Sequence, residues 1–329
     1  KESNVLSLNG NNFFGLHPNM SSFQELYNAG DMAIFPAAYN SALNLSHFDS
    51  QNIVNTGLDQ ELQTGWLARA LNQLNISSED KLPAISLGFS THELLVGNSL
   101  VTSFENIDNF TFGTDFDFIS QLKTVYSNES SSTIGYLNSL LSLGVTTFTN
   151  VNLVKEITDM SYKPAAQYPA NGFANKLQTA ARLIKNSDLR AVTIDQGGFD
   201  THQAQAGAHA GLLKTISDGL GAFYKDLGSL KTDVMTIVIT EFGRTVAENG
   251  SDGTDHGRAN AWFVIGGGVT GGIYGDWPGL DSVLEDERYL AQTTDIQDIV
   301  SEVLIKHSGV SDIETVFQNS NYQEIGFIS

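Results

Sequence analysis

The sequence predicts an α/β protein: a three-layer α/β/α sandwich around a mostly parallel sheet, formed as a single domain over residues 1–329. Three observations lead there. Short apolar runs rich in β-branched residues alternate with amphipathic stretches of helical period. The clearest run, VMTIVIT (234–240), carries no charge, as a strand covered on both faces requires. Acidic residues and histidines cluster directly after such runs, where open α/β sheets bind ligands.

The elements follow in order. HPNMSSFQELYNAG reads as a capped helix closed by Gly30, followed by the strand MAIFPA. SHFDSQNIVNTG is helical from about Ser46, and DQELQTGWLARALNQL sets Leu62, Trp66, Leu67 and Leu71 at helical spacing. LPAISLG is a compact strand. Residues 103–165, richer in Ser, Asn, Thr and Phe, read as a helical insertion. FANKLQTAARLIKN is a helix, LRAVTID a strand, and AGLLKTISDGLGAFYKDLGSL a helix with Leu212, Leu213, Ile216, Leu220, Phe223 and Leu227 on one face. VMTIVIT and AWFVIGGG are strands. TTDIQDIVSEVLIKHSG closes as a helix capped by Thr294 or Asp295. No internal repeat or low-complexity linker interrupts the series.

Composition narrows the function classes. The 329 residues are 41% hydrophobic, ample for a large core. Seventeen Lys and Arg face 37 Asp and Glu, a formal net charge of −20, which repels phosphate backbones and disfavours nucleic acid. There is no cysteine, hence no disulfide framework. No apolar run approaches the roughly 20 residues that span a bilayer. The chain begins at Lys1, from which we expect a preceding segment that was cleaved or is not included.

The polar clusters are Asp195, Asp200 and His202 after LRAVTI, Glu241 and Arg244 after VMTIVIT, and Asp255 and His256 in GTDHG. Carboxylate oxygen mixed with imidazole nitrogen suits Zn²⁺, Mn²⁺ or Fe, and oxygen alone suits Ca²⁺ or Mg²⁺. Each element also has a plainer use. Asp200 with Thr201 fits a helix cap, Glu241 fits an ion pair with Arg244, and DHG is a natural turn. GGGVTGG (266–272) lacks the spacing of a dinucleotide fingerprint and opens no helix.

SHFDSQNIVNTG, GGFDTHQAQ, TEFGRT, GTDHGRA and GGGVTGGIYGDWPGL together resemble a bacterial secreted family, often exported by the twin-arginine route and known as domain of unknown function fifteen-zero-one. The likeness runs from LHP (16–18) to TTDIQDIVSEVL. It implies the alkaline phosphatase and sulfatase superfamily, whose sheet holds two metals and a hydroxyl nucleophile. By that resemblance Asp195, Asp200, His202, Glu241 and His256 are expected as ligands of a divalent metal (Zn, Mn, Ca or Mg), and Asp255, beside His256 in its loop, is a sixth candidate ligand. Ser46 is expected as the nucleophile, and Arg244 as the group that holds an ester oxygen. Ser46 equally fits the S-x-x-[DE] capping box, with His47 beside it. Phe242 stands where the superfamily commonly has a histidine. The opening KESNVLSLNGNN shows no counterpart of the apolar first strand of relatives, whose terminal Asp binds metal.

The expected function is a metal-dependent hydrolase of phosphate or sulfate esters, on small-molecule or polysaccharide substrates, in the periplasm, at the cell surface or secreted. The alternative is a non-catalytic protein of the same fold, acting as a homo-oligomer or within a surface complex, matrix or filament.

Overall fold

The computed structural model describes residues 5–57, 63–76, 80–107, 110, 121, 124, 135–281, 284–318 and 321–329. The chain is α/β, with parallel and antiparallel pairing. Strand β3 (Met32–Tyr39) lies at the centre, buried along its whole length. Its alternate residues enter different cores. Ala33, Phe35 and Ala37 pack with α2 (His47–Thr56) and α7 (Ile296–Lys306), while Met32 and Ile34 pack with α1 (Ser21–Asn28) and α6 (Gln205–Leu227). Its neighbour β8 (Asn260–Gly266) divides likewise, with Trp262 and Val264 on one side and Ile265 on the other. The period of two in a strand covered on both faces produces this split.

β8 pairs antiparallel with both β3 and β7 (Met235–Val238), whereas β9 (Gly272–Ile273) and β10 (Thr294–Asp295) join β3 in parallel. The sheet is therefore mixed, where a mostly parallel one was expected. Parallel neighbours need a crossover, usually a helix. Residues 239–259 contain none, so the chain returns from β7 into β8 in the opposite sense. The register of β3 shifts between Phe35 and Ala38, around Pro36, which has no N–H to give to the ladder.

A separate three-stranded parallel sheet has the order β5–β4–β6, with β4 at Ala84–Ser86, β5 at Val101–Ser103 and β6 at Ala191–Thr193. The opening segment, in which no counterpart of the relatives' apolar first strand was expected, forms a hairpin of β1 (Leu6–Leu8) and β2 (Asn11–Leu16). Gly10 supplies the positive φ its turn needs. This hairpin does not join the central sheet. Helix α3 (Trp66–Leu71) is shorter than its apolar spacing suggested, and Leu62 lies outside the described residues. Within 103–165 the described part is dominated by helix α4 (Gly135–Asp159), and the rest of that expected insertion falls largely outside the described residues. The amphipathic helix α5 (Gly172–Ile184) precedes β6, and the short α8 (Ile313–Val316) follows α7. No helix among the described residues is long and apolar enough to cross a membrane.

Candidate metal centre

Four chain segments meet here: three lie at the edge where β3 and β7 end and β8 begins, and the fourth, carrying Asp200 and His202, follows β6. Because β8 runs antiparallel, its entering loop, not its exit, lies with the carboxyl ends of the other two. That places His256, four residues before Asn260, on the same edge as Glu241 and α2. The loops are joined by backbone. Thr245 N donates to Asp255 O at 3.0 Å, and Gly257 N donates to Gly243 O at 2.8 Å. The glycines bracketing GTDHG are required by this approach. A Cβ on Gly253 would stand 2.3 Å from the carbonyl carbon of His202, and one on Gly257 would stand 2.4 Å from that of Arg244.

Asp200 is the hub. Its Oδ1 lies 2.9 Å from His202 Nε2 and 3.0 Å from His256 Nε2, and accepts from Arg244 Nη1 at 2.7 Å. Its Oδ2 lies 3.4 Å from His47 Nε2. The two imidazole Nε2 atoms of His202 and His256 are 3.0 Å apart. His47, Asp200 and His256 each offer one ligand atom within 4.8 Å of the others, a group able to hold a metal ion.

The opposite nitrogen of each ring is already engaged. His47 Nδ1 meets Glu241 Oε1 at 2.7 Å, His202 Nδ1 meets Asp255 Oδ1 at 3.1 Å, and His256 Nδ1 meets the Leu45 carbonyl at 2.6 Å. These partners accept only, so each Nδ1 is the N–H donor. A neutral ring then turns an Nε2 lone pair toward the Asp200 carboxylate. Lone pair against carboxylate repels unless a proton or a cation lies between them. His47 Nε2 is buried and has no hydrogen-bond partner. An oriented Nδ1–H with a free Nε2 is the usual arrangement of a metal-ligating histidine. The donor set therefore fits a divalent cation that takes nitrogen and oxygen.

Electrostatics point the same way. Desolvation works against ionisation of Asp200. The hydrogen bond from the Arg244 guanidinium is the first of the contacts that outweigh it and hold the carboxyl well below its ordinary range. Glu241 is likewise held down against its own burial by bonds that include His47 and Gln51. Asn249 and His202 lower Asp255.

The residues singled out in the sequence divide accordingly. Asp200, His202, Glu241, Arg244, Asp255 and His256 come together. Asp195 does not join their contacts: its carboxylate meets His92 Nε2 at 3.1 Å. Ser46 is the N-cap of α2, its Oγ accepting from Asp49 N at 3.4 Å. His47, which the sequence offered only as a neighbour of Ser46 and not as a ligand, joins Asp200 and His256, and Phe242 helps to seat it. The Phe242 ring lies 4.9 Å from that of His47 and 4.8 Å from that of His256, forming an apolar wall beside both imidazoles.

The family described as "Protein of unknown function (DUF1501)" matches residues 30–325, nearly the whole chain. No curated protein and no solved structure matches it.

Proposed function

This chain belongs to the DUF1501 family, whose description assigns no reaction, and we propose from its site that it is a metal-dependent hydrolase of phosphate or sulfate esters. The observation that carries the proposal is the convergence of three histidine Nε2 atoms on Asp200, each ring fixed through its other nitrogen. His47, Asp200 and His256, with His202 beside them, would hold the cation. When bound, the cation supplies Lewis-acid polarisation of an ester oxygen. Glu241, Asp255 and the Leu45 carbonyl keep the rings in the ligating tautomer. Assigning Glu241 and Asp255 this orienting role revises their expected role as ligands.

Arg244 supplies a fixed positive charge beside Asp200 for an anionic ester, braced by bonds from Nε and Nη2 to Thr254. Ser46, at the amino end of α2 where the helix dipole favours an anion, is assigned the attack. Its oxygen bonds to phosphorus or sulfur as the ester oxygen departs and takes a proton from solvent. The Ser46 proton passes to solvent, and water then displaces the Ser46 oxygen to release phosphate or sulfate. A kinship with alkaline phosphatases and sulfatases, and export from the cytoplasm, are part of the proposal and rest on the sequence resemblance.

One observation favours the second reading, a non-catalytic surface protein that keeps the metal: the Ser46 oxygen already serves as a helix cap. Assay of metal-supplemented protein on a generic aryl phosphate and aryl sulfate separates the two. Hydrolysis that falls to background in Asp200→Ala supports the enzyme. A protein that binds metal yet turns over neither ester leaves the binding role.

A further inference from the structure

A second polar site lies at the carboxyl edge of the parallel β5–β4–β6 sheet, and its chemistry does not depend on the metal. In the register of that sheet Ser103, Ser86 and Thr193 form one row across the three strands at their last residues. The turn after β4 closes on this row. Ser86 Oγ donates to Ser90 O and accepts from His92 N, both at 3.0 Å. Phe89 stands at the tip of the turn, 92% exposed. Thr91 Oγ1 and Ser103 Oγ are 2.8 Å apart at the rim.

His92 forms the foot of the turn. Its Nδ1 accepts from Leu94 N at 3.2 Å, so its Nε2 carries the proton and donates to Asp195 Oδ1 at 3.1 Å. With both nitrogens committed, His92 has no lone pair left to serve as a general base, which argues against a hydrolytic dyad here. Its effect is to fix the Asp195 carboxylate. The hydrogen bond from His92 is the main reason that carboxyl is held below its ordinary range. Asp195 remains 69% exposed, and His92 occupies only one of its oxygens. Phe89 and His92 are three residues apart on this turn, so their Cα atoms are separated by at most about 11 Å.

A solvent-facing ring on the turn that anchors an oriented carboxylate, with the paired hydroxyls of Thr91 and Ser103 at the rim, matches the two faces of a sugar. The C–H face of a pyranose stacks on an aromatic ring, and its vicinal hydroxyls donate to a carboxylate, which only accepts. We propose that Phe89, Asp195 and Thr91 form a carbohydrate-binding site. With a fixed carboxylate at its centre and a net charge of −20 around it, the site takes neutral rather than anionic sugars.

Saturation-transfer NMR with maltohexaose, cellohexaose, mannohexaose and chitohexaose tests this. We expect transfer to the ring protons of at least one of the four. Affinity should fall by about tenfold or more in Phe89→Ala and in Asp195→Asn. Phe13→Ala, which removes an exposed ring elsewhere, should leave it unchanged. Absence of transfer to all four sugars overturns the proposal, as does binding that survives either of the first two substitutions. The exposure of Phe89 and the near-isosteric Asp195→Asn keep both variants folded, which circular dichroism checks.

Discussion

His47 gives its Nδ1 proton to Glu241 across 2.7 Å, and that bond turns the other ring nitrogen toward Asp200. The two residues lie 194 positions apart, one in the first turn of α2 and the other just beyond β7. Gln51, one helical turn after His47, also donates to Glu241 Oε1, at 3.1 Å. The carboxylate is thus held by two side chains of one helix face, the i and i+4 spacing that helix geometry provides.

Glu241→Gln keeps the shape of that side chain but weakens its hold on the Nδ1 proton. Metal affinity should fall about 10- to 100-fold with little change in fold, the usual effect of losing a residue that orients a ligand. Competition with a chromogenic chelator measures it.

Ser46 separates structure from chemistry. As a cap it is worth about 1 kcal/mol against Ala and only a few tenths against Gly. Ser46→Gly should therefore keep the thermal midpoint nearly unchanged while reducing ester hydrolysis to background, if Ser46 makes the attack. Unchanged turnover in this variant would assign Ser46 to capping alone.

The buried carboxylate of Asp226, 0% exposed, ties the segment before α5 to α6. It accepts from Tyr162, from Tyr168 at 3.0 Å, from Lys185 at 2.7 Å and from Ala165 N at 2.8 Å. Desolvation opposes its ionisation, and these bonds, led by Lys185, prevail, so its carboxyl lies below the ordinary range. A carboxyl depressed in the folded state stabilises fully above its unfolded value, near pH 4, and loses that contribution as pH falls through its folded value. Urea midpoints should drop steeply below about pH 4 in the native protein and less steeply in Asp226→Asn. At pH 7 Asp226→Ala should cost about 3 kcal/mol, because Lys185 and two hydroxyls lose their acceptor.

Glu302, 0% exposed, fastens the end of the chain. Its two oxygens accept from the backbone N–H groups of Ile325, Gly326, Phe327 and Ile328 at 2.7–3.0 Å. Glu302→Ala orphans all four, at a cost of about 3 kcal/mol or more. Hydrogen exchange should show residues 325–328 losing protection first, while β3 and β8 keep theirs.

Much of the site was legible because Asp200, His202, Glu241, Arg244 and His256 each follow closely on an apolar run or precede one, and strand ends gather ligands. The same rule covers β3, whose carboxyl end leads into α2, and would have found His47. The capping-box spacing S-H-F-D drew attention to Ser46 instead. Asp195 also ends a strand, but β6 hydrogen-bonds to β4 in the other sheet and Asp195 turns to His92 there, while Asp200 and His202 further along the same loop reach the metal centre. Where one loop divides between two sites is not written in an apolar run. Strand direction is equally silent: VMTIVIT and AWFVIGGG look alike whichever way they run. The helix-free stretch between them carried the information, since a parallel return needs a crossover.

Elemental analysis of protein purified without chelator tests the central claim most directly. About one divalent cation per chain is expected, falling to trace in His47→Ala and in His256→Ala with each variant still folded. Protein that carries no cation and takes none up when Zn²⁺ or Mn²⁺ is added would contradict it, as would a cation that persists in both variants.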